Sequence, residues 1–128
     1  MTLKIMLVDD NLTFLASVKK YLQMVPNTAV VAEAHDGAQA LGLAQQWQPD
    51  LVLLDMVMPG MNGLAVAKAM QAWPKPPQIL FLSLHDNESY RSAASALGVL
   101  GLVDKANFVT ELLPMISGLA APVVERQP

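Results

Sequence analysis

Hydrophobic positions along the chain fall into two alternating kinds of segment. Five short runs are apolar at consecutive positions, as expected for parallel strands that are covered on both faces. The stretches between these runs carry apolar residues at helical spacing. Five βα units in strict alternation predict a parallel sheet with helices on both of its faces. The predicted strands are Leu3–Val8, Ala29–Glu33, Leu51–Asp55, Ile79–Ser83 and Leu100–Val103.

Each predicted helix follows a polar turn and carries an apolar stripe. Asn11, Asp36, Asn62 and Asn87 stand near the first four helix starts, where short polar side chains cap free N–H groups. Pro114 falls in the last helix, so we expect a local kink or an early-turn position there. The stripes are Leu15, Val18 and Leu22; Leu41, Ala44 and Trp47; Val66, Met70 and Trp73; Tyr90, Ala93, Ala94 and Leu97; and Leu112, Met115 and Leu119.

The strand order follows from topology rules and not from periodicity. Right-handed crossovers leave few arrangements for five consecutive βα units. Among these we expect the flavodoxin-like (βα)5 order 2-1-3-4-5, with helices on both faces of a five-stranded parallel sheet.

Composition narrows the class of protein. The length of 128 residues suits one domain, which we expect to span 1–119, with a tail or linker at 120–128. A net charge of -3 does not provide the basic field of a nucleic-acid-binding surface. The absence of cysteine removes disulfides and thiol chemistry. The first apolar run ends in two aspartates, unlike a signal peptide or membrane span. We therefore expect a soluble, cytoplasmic protein.

The carboxyl ends of the predicted strands carry the candidate chemistry. Ligands of open parallel sheets bind beyond these ends. Asp9 and Asp10 end the first strand, Asp55 ends the third, Ser83 ends the fourth, and Lys105 follows the fifth. Each alone has a simpler explanation as a cap, a turn residue or a surface charge. Their convergence from four separate strands favours a functional site.

Three carboxylates held close together repel one another, and a hard divalent cation offsets that repulsion. Oxygen-only ligands favour Mg²⁺, with Mn²⁺ as an alternative. A carboxylate such as Asp55 acts as a nucleophile toward phosphorus. The metal and Lys105 would stabilise charge on the transferring phosphoryl group.

Four segments resemble the receiver domains of bacterial two-component response regulators: Leu7–Asn11, Leu51–Gly63, Phe81–Ser83 and Val103–Lys105. The resemblance covers about residues 3 to 119. It implies a phosphorelay in which Asp55 accepts phosphate from a phosphohistidine on a sensor histidine kinase or phosphotransfer protein.

The resemblance also implies a ligand set. Asp10, Asp55 and the backbone carbonyl of Val57 would bind Mg²⁺, and Asp9 would assist through water. The domain would catalyse only its own phosphorylation and dephosphorylation, so it would not be an enzyme in the ordinary sense.

Other positions carry family roles or depart from them. Ser83 would swing toward the phosphoryl group, and Lys105 would pair with it. Asp104 is expected to point away from the lysine as a surface charge. Leu102 stands where the family often has an aromatic switch residue. Ala106 stands where many receivers have a proline in a cis peptide, so we predict a trans bond.

The lysine context and the second strand are similar to receivers that precede helix-turn-helix output domains of the NarL/LuxR type. The resemblance implies transcription regulation through an output domain that these 128 residues do not contain. Phosphorylation would act through the face of the fourth helix, fifth strand and fifth helix, with a homodimer as one outcome. We also expect slow loss of phosphate, because Val57 cannot orient a water; His85 either orients one or is simply exposed.

Three alternatives stay open. A phosphatase of the haloacid dehalogenase type also uses Asp, Ser or Thr, Lys and Mg²⁺, but it normally has a second Asp where this chain has Val57. A degenerate receiver would bind partners without being phosphorylated. A nucleotide-binding flavodoxin relative lacks support, since no Gly-rich loop follows the first strand.

Overall fold

The computed structural model describes residues 2–84 and 88–120. Strands and helices alternate along these residues, as the hydrophobic pattern predicts. The strands are β1 (Leu3–Val8), β2 (Thr28–Ala34), β3 (Leu51–Asp55), β4 (Gln78–Ser83) and β5 (Gly101–Asp104). The helices are α1 (Leu12–Leu22), α2 (Gly37–Trp47), α3 (Gly63–Gln71), α4 (Glu88–Leu97) and α5 (Phe108–Ala120), with a 3-10 turn at Lys105–Asn107.

The five strands form one parallel sheet in the order β2-β1-β3-β4-β5, which confirms the predicted flavodoxin-like arrangement. The neighbouring strands β1 and β3 pair from Ile5 opposite Leu51 to Val8 opposite Leu54. The two strand ends that carry the predicted acidic residues are therefore adjacent in the sheet. The register between β1 and β2 shifts between Ile5 and Met6, so the edge strand β2 bends there.

Two hydrophobic layers cover the sheet, because alternate strand residues point to opposite faces. One layer joins Val52, Leu54 and Phe81 of the strands to buried residues of α2, α3 and α4. The other joins Leu51 and Leu53 to buried residues of α1 and α5. The consecutive apolar runs of β1, β3 and β4 thus arise from burial on both sides.

Three of the predicted helix caps are present. The side chains of Asn11, Asp36 and Asn62 each accept a backbone N–H in the first turn of α1, α2 and α3, respectively. The predicted cap Asn87 lies outside the described residues. Pro114 is the seventh of thirteen residues in α5, so the early-turn alternative is wrong.

Two predicted stripe positions are also wrong. Trp47 is 46% exposed at the end of α2, where Ala40 and Ala44 are the buried residues. Met115 is 36% exposed, because α5 buries Leu112, Ile116 and Ala120 at a spacing of four. None of the described helices combines the length and the apolarity that a bilayer crossing requires.

Candidate functional site

Strand alternation brings three charged side chains to one side of the sheet. Asp9 continues the series of Ile5 and Leu7, and Asp55 continues the series of Leu51 and Leu53. Lys105 likewise follows Val103 by two positions. The three residues therefore extend beyond the hydrophobic layer of α1 and α5, at the carboxyl edge of the sheet.

Lys105 is the centre of this charged group. Its Nζ lies 2.6 Å from Asp9 Oδ2 and 3.3 Å from Asp55 Oδ1. All three residues are buried, with exposed fractions of 7% or less. A buried ammonium between two carboxylates lowers their mutual repulsion, and each charge would be costly to bury alone. The pairing of Asp9 with Lys105 is a direct contact that the sequence did not predict.

Three carboxylates meet at this edge. Oxygen atoms of Asp9, Asp10 and Asp55 all lie within 4.8 Å of one another. Asp9 Oδ1 accepts the N–H of Asn11 at 2.8 Å, and its buried Oδ2 lies 2.6 Å from the Lys105 ammonium. Asp10 is exposed. An all-oxygen set with one open side fits a hard divalent cation.

The same environment makes Asp55 a weaker acid than an ordinary aspartate. Burial, followed by the charge of Asp9, raises the pKa of Asp55 to about 6. The Lys105 ammonium and the Val57 N–H, which lies 3.2 Å from Asp55 Oδ1, oppose this increase in pKa. A cation bound beside Asp55 would favour its ionised form and lower the pKa again.

The connection after β3 holds Asp55 in place through close backbone packing. The N–H of Gly63 donates to the Met56 carbonyl at 3.0 Å, so the start of α3 folds back behind Asp55. A Cβ at Gly63 would lie 2.8 Å from Met56 Cα and closer still to the Asp55 carbonyl oxygen. Only glycine fits this contact, a feature that the spacing of polar residues does not reveal.

The other predicted positions surround this centre. Ser83 is buried at the end of β4, opposite Asp104 in the sheet register. Val57 is 55% exposed in the loop after β3. Leu102 is buried in the layer of α2, α3 and α4. His85 lies outside the described residues.

The residues flanking Lys105 also have defined places. Asp104 is half-buried, and its Oδ1 accepts the Ala106 N–H at 2.9 Å. It therefore caps the 3-10 turn, whereas we had expected only a surface charge at this position. The peptide bond between Lys105 and Ala106 is trans, as predicted.

Comparison with known proteins identifies relatives of this chain. The family model of the response regulator receiver domain matches residues 5–117. The transcriptional regulatory protein DegU of Brevibacillus brevis is 34% identical over 119 residues, which are 92% of this chain and 50% of the relative. The nitrate/nitrite response regulator protein NarL of Escherichia coli K12 is 34% identical over 117 residues, covering 91% of this chain and 54% of that protein.

A solved structure is similar as well. The signal receiver domain of NarL from Mycobacterium tuberculosis superimposes with a TM-score of 0.85 at 34% identity, over 93% of this chain and 96% of that one. The chain belongs to the response regulator receiver domain family, and its relatives are regulators of the NarL/LuxR type. It spans about half the length of the curated relatives that it matches.

Proposed function

We propose that Asp55 is the phosphate acceptor of this receiver domain. The donor is a phosphohistidine on a sensor histidine kinase or a phosphotransfer protein. The phosphorus–nitrogen bond breaks as a bond forms between phosphorus and an Asp55 carboxylate oxygen, and the released imidazole takes a proton from solvent. The observation that carries this proposal is the position of the Asp55 carboxylate, beside the Lys105 ammonium and two further carboxylates.

The surrounding side chains have separate roles in the proposed transfer. Lys105 offsets part of the negative charge on Asp55 and Asp9 beforehand, and it pairs with the phosphoryl oxygens afterwards. Ser83 hydrogen-bonds a phosphoryl oxygen from the end of β4. The Val57 N–H holds Asp55 Oδ1 and so orients the carboxylate.

The proposed Mg²⁺ site consists of Asp9, Asp10, Asp55 and the carbonyl of Val57, with Asp9 acting through water. Mn²⁺ is the alternative ion. The bound ion would supply positive charge that offsets the repulsion between carboxylates and phosphoryl oxygens. The short contact between Asp9 Oδ2 and Lys105 gives Asp9 a second role, because it anchors the lysine next to Asp55.

The proposal extends to the role of the domain in the cell. The receiver occupies residues 1–119, and 120–128 are a C-terminal tail or a linker toward an output domain that regulates transcription. Phosphorylation shifts an existing equilibrium at the face of α4, β5 and α5, and this favours a homodimer or frees the output domain. Leu100, which is 40% exposed between α4 and β5, supports contact there. The location is cytoplasmic, the chain itself contacts no DNA, and it turns over no external substrate.

The test uses acetyl phosphate as a small phosphodonor with Mg²⁺. Wild-type protein should acquire one acid-stable, base-labile phosphate per chain, and Asp55→Asn should acquire none. Asp104→Asn is the matched control, since it removes a nearby acid but retains the oxygen that accepts the Ala106 N–H. It should label as the wild type does.

Label that survives in Asp55→Asn would overturn the assignment of the acceptor. Absence of label in the wild-type protein would favour a degenerate receiver that acts through binding alone. Continuous hydrolysis of a phosphomonoester would favour a phosphatase.

A further inference from the structure

Lys105 has a third neighbour besides its two carboxylates. Its Nζ lies 4.9 Å from the centroid of the Phe14 ring, over the ring face. Phe14 belongs to the first turn of α1, which starts directly after the acidic end of β1. An ammonium over an aromatic face is attracted by the ring's electron density, and more strongly where water is excluded. The lysine is thus held from one side by carboxylates and from another by Phe14.

Phe14 also contacts the start of α5 through a second aromatic residue. The rings of Phe14 and Phe108 are 5.3 Å apart and nearly perpendicular, at 76°. Tyr21, two turns further along α1, meets the same Phe108 ring at 5.5 Å and 79°. Such edge-to-face pairs add specific attraction to area burial. Phe108 is the first residue of α5, so α1 holds this helix end through two aromatic contacts.

The chain has no aromatic residue at position 102 of β5. Leu102 occupies the position on β5 where receivers often have an aromatic switch residue, and it is packed into the layer of α2, α3 and α4. The aromatic contact of Lys105 with Phe14 is instead on the opposite side of the sheet, in the layer of α1 and α5.

We infer that Phe14 is a positioning residue for Lys105. When Lys105 exchanges its carboxylate partners for the phosphoryl group, the contact between Phe14 and Phe108 transmits this change to the start of α5. The inference rests on the proposed phosphorylation of Asp55. Before transfer, the Phe14 face keeps the ammonium between Asp9 and Asp55. After transfer, Lys105 pairs with the phosphoryl oxygens, so its contact with Phe14 weakens and the ring shifts against Phe108.

The first experiment separates the ring's electrostatics from its shape. Phenylalanine with one, two and three ring fluorines is placed at position 14, which reduces the electron density of the ring face but retains its form. Phosphorylation by acetyl phosphate with Mg²⁺ is then followed at several donor concentrations. We expect the maximal rate to fall stepwise, by about 3- to 10-fold in total, with the half-saturating donor concentration unchanged.

The chain offers a matched control, because it has only three phenylalanines. Phe81 is fully buried in the layer on the opposite face of the sheet, and fluorination there should leave the rate unchanged. Rates that are insensitive to fluorine at position 14 would refute the positioning role. A drop in rate for Phe14→Leu but not for the fluorinated rings would also refute it, since only packing would then matter.

The second experiment tests transmission to α5. Ring-labelled phenylalanine gives three sets of NMR signals, which Phe→Leu variants assign. Beryllofluoride with Mg²⁺ serves as the phosphoryl mimic at Asp55. We expect the Phe108 signals to shift on loading, and at least half of that shift to be lost in Phe14→Leu. A Phe108 response that is the same with and without the Phe14 ring would refute the transmission.

Failure of the inference and failure of the proposed function give different results. If wild-type protein acquires no phosphate and binds no beryllofluoride, the proposed function fails. If Asp55 is fully phosphorylated but the Phe14 variants behave as wild type, only the role of Phe14 fails.

Discussion

Replacing Asp55 by asparagine should make the metal-free protein more stable, although it abolishes the proposed function. Asp55 is 4% exposed as a residue, and the ionisation of its carboxyl group is opposed first by burial and then by the charge of Asp9. Asparagine has almost the same shape and carries no charge. The substitution therefore removes an unfavourable charge from the folded state without opening a cavity.

The size of the effect follows from the pKa of Asp55, which is raised from 3.8 to about 6. Between these values the folded protein holds a proton that the unfolded chain releases, so the free energy of unfolding falls as pH rises through that window. Two pKa units correspond to about 3 kcal/mol as an upper limit. Solvent at the open edge of the site screens part of this, so we expect a gain of about 1–2 kcal/mol at about pH 8.

The assay is urea unfolding in the presence of EDTA, followed by tryptophan fluorescence. Trp47 ends α2 and Trp73 follows α3, so both lie at the edge of the sheet away from Asp55. The gain in the free energy of unfolding from Asp55→Asn should be about half as large at about pH 5 as at about pH 8, because the Asp55 carboxyl group of the folded wild type is largely protonated at the lower pH. Asp36→Asn is the control, since it removes an exposed charge from a helix N-cap where asparagine serves equally well.

An Asp55→Asn variant that is no more stable than wild type at about pH 8 would contradict the electrostatic account of the site. A gain that does not change between about pH 8 and about pH 5 would also contradict it, because the stabilisation would then have a cause other than the charge.

Three further predictions concern neighbouring residues. Lys105→Met should destabilise the metal-free protein by about 3–5 kcal/mol in urea unfolding, because Asp9 and Asp55 lose their buried counter-ion. Gly63→Ala should cost about 1–3 kcal/mol and slow labelling by acetyl phosphate, since its Cβ would collide with the Asp55 carbonyl oxygen; a neutral result would refute this contact. Mg²⁺ at ten times its Kd should stabilise the wild type by about 1.4 kcal/mol and Asp10→Asn much less, and an equal effect on both would remove Asp10 from the site.

The sequence predicts the sheet well because its central strands are buried on both faces, and strands buried on both faces are apolar at consecutive positions. Helix starts are predicted well for a similar reason, since a cap such as Asn62 acts on backbone groups only three residues away. The burial of individual helix side chains is harder to predict from the sequence. Trp47 and Met115 match a helical spacing, but which stripe faces the sheet depends on how closely each helix packs.

The candidate site shows the same division. Strand ends bring Asp9, Asp10 and Asp55 to one edge of the sheet, and this follows from parallel topology alone. The partners of Lys105 do not follow from it, because Phe14 comes from a helix whose rotation about its axis the strand pattern leaves free. The exclusion of side chains at Gly63 likewise depends on the path of the loop after β3.

The most direct test of the account is the identity of the phosphorylated residue. Wild-type protein is treated with acetyl phosphate and Mg²⁺ and then reduced with borohydride, which converts an aspartyl phosphate into homoserine. Peptide mass spectrometry then locates the change. The account predicts homoserine at Asp55 and at no other position. Homoserine at Asp9 or Asp10 with Asp55 unchanged, or no conversion in fully loaded protein, would contradict it.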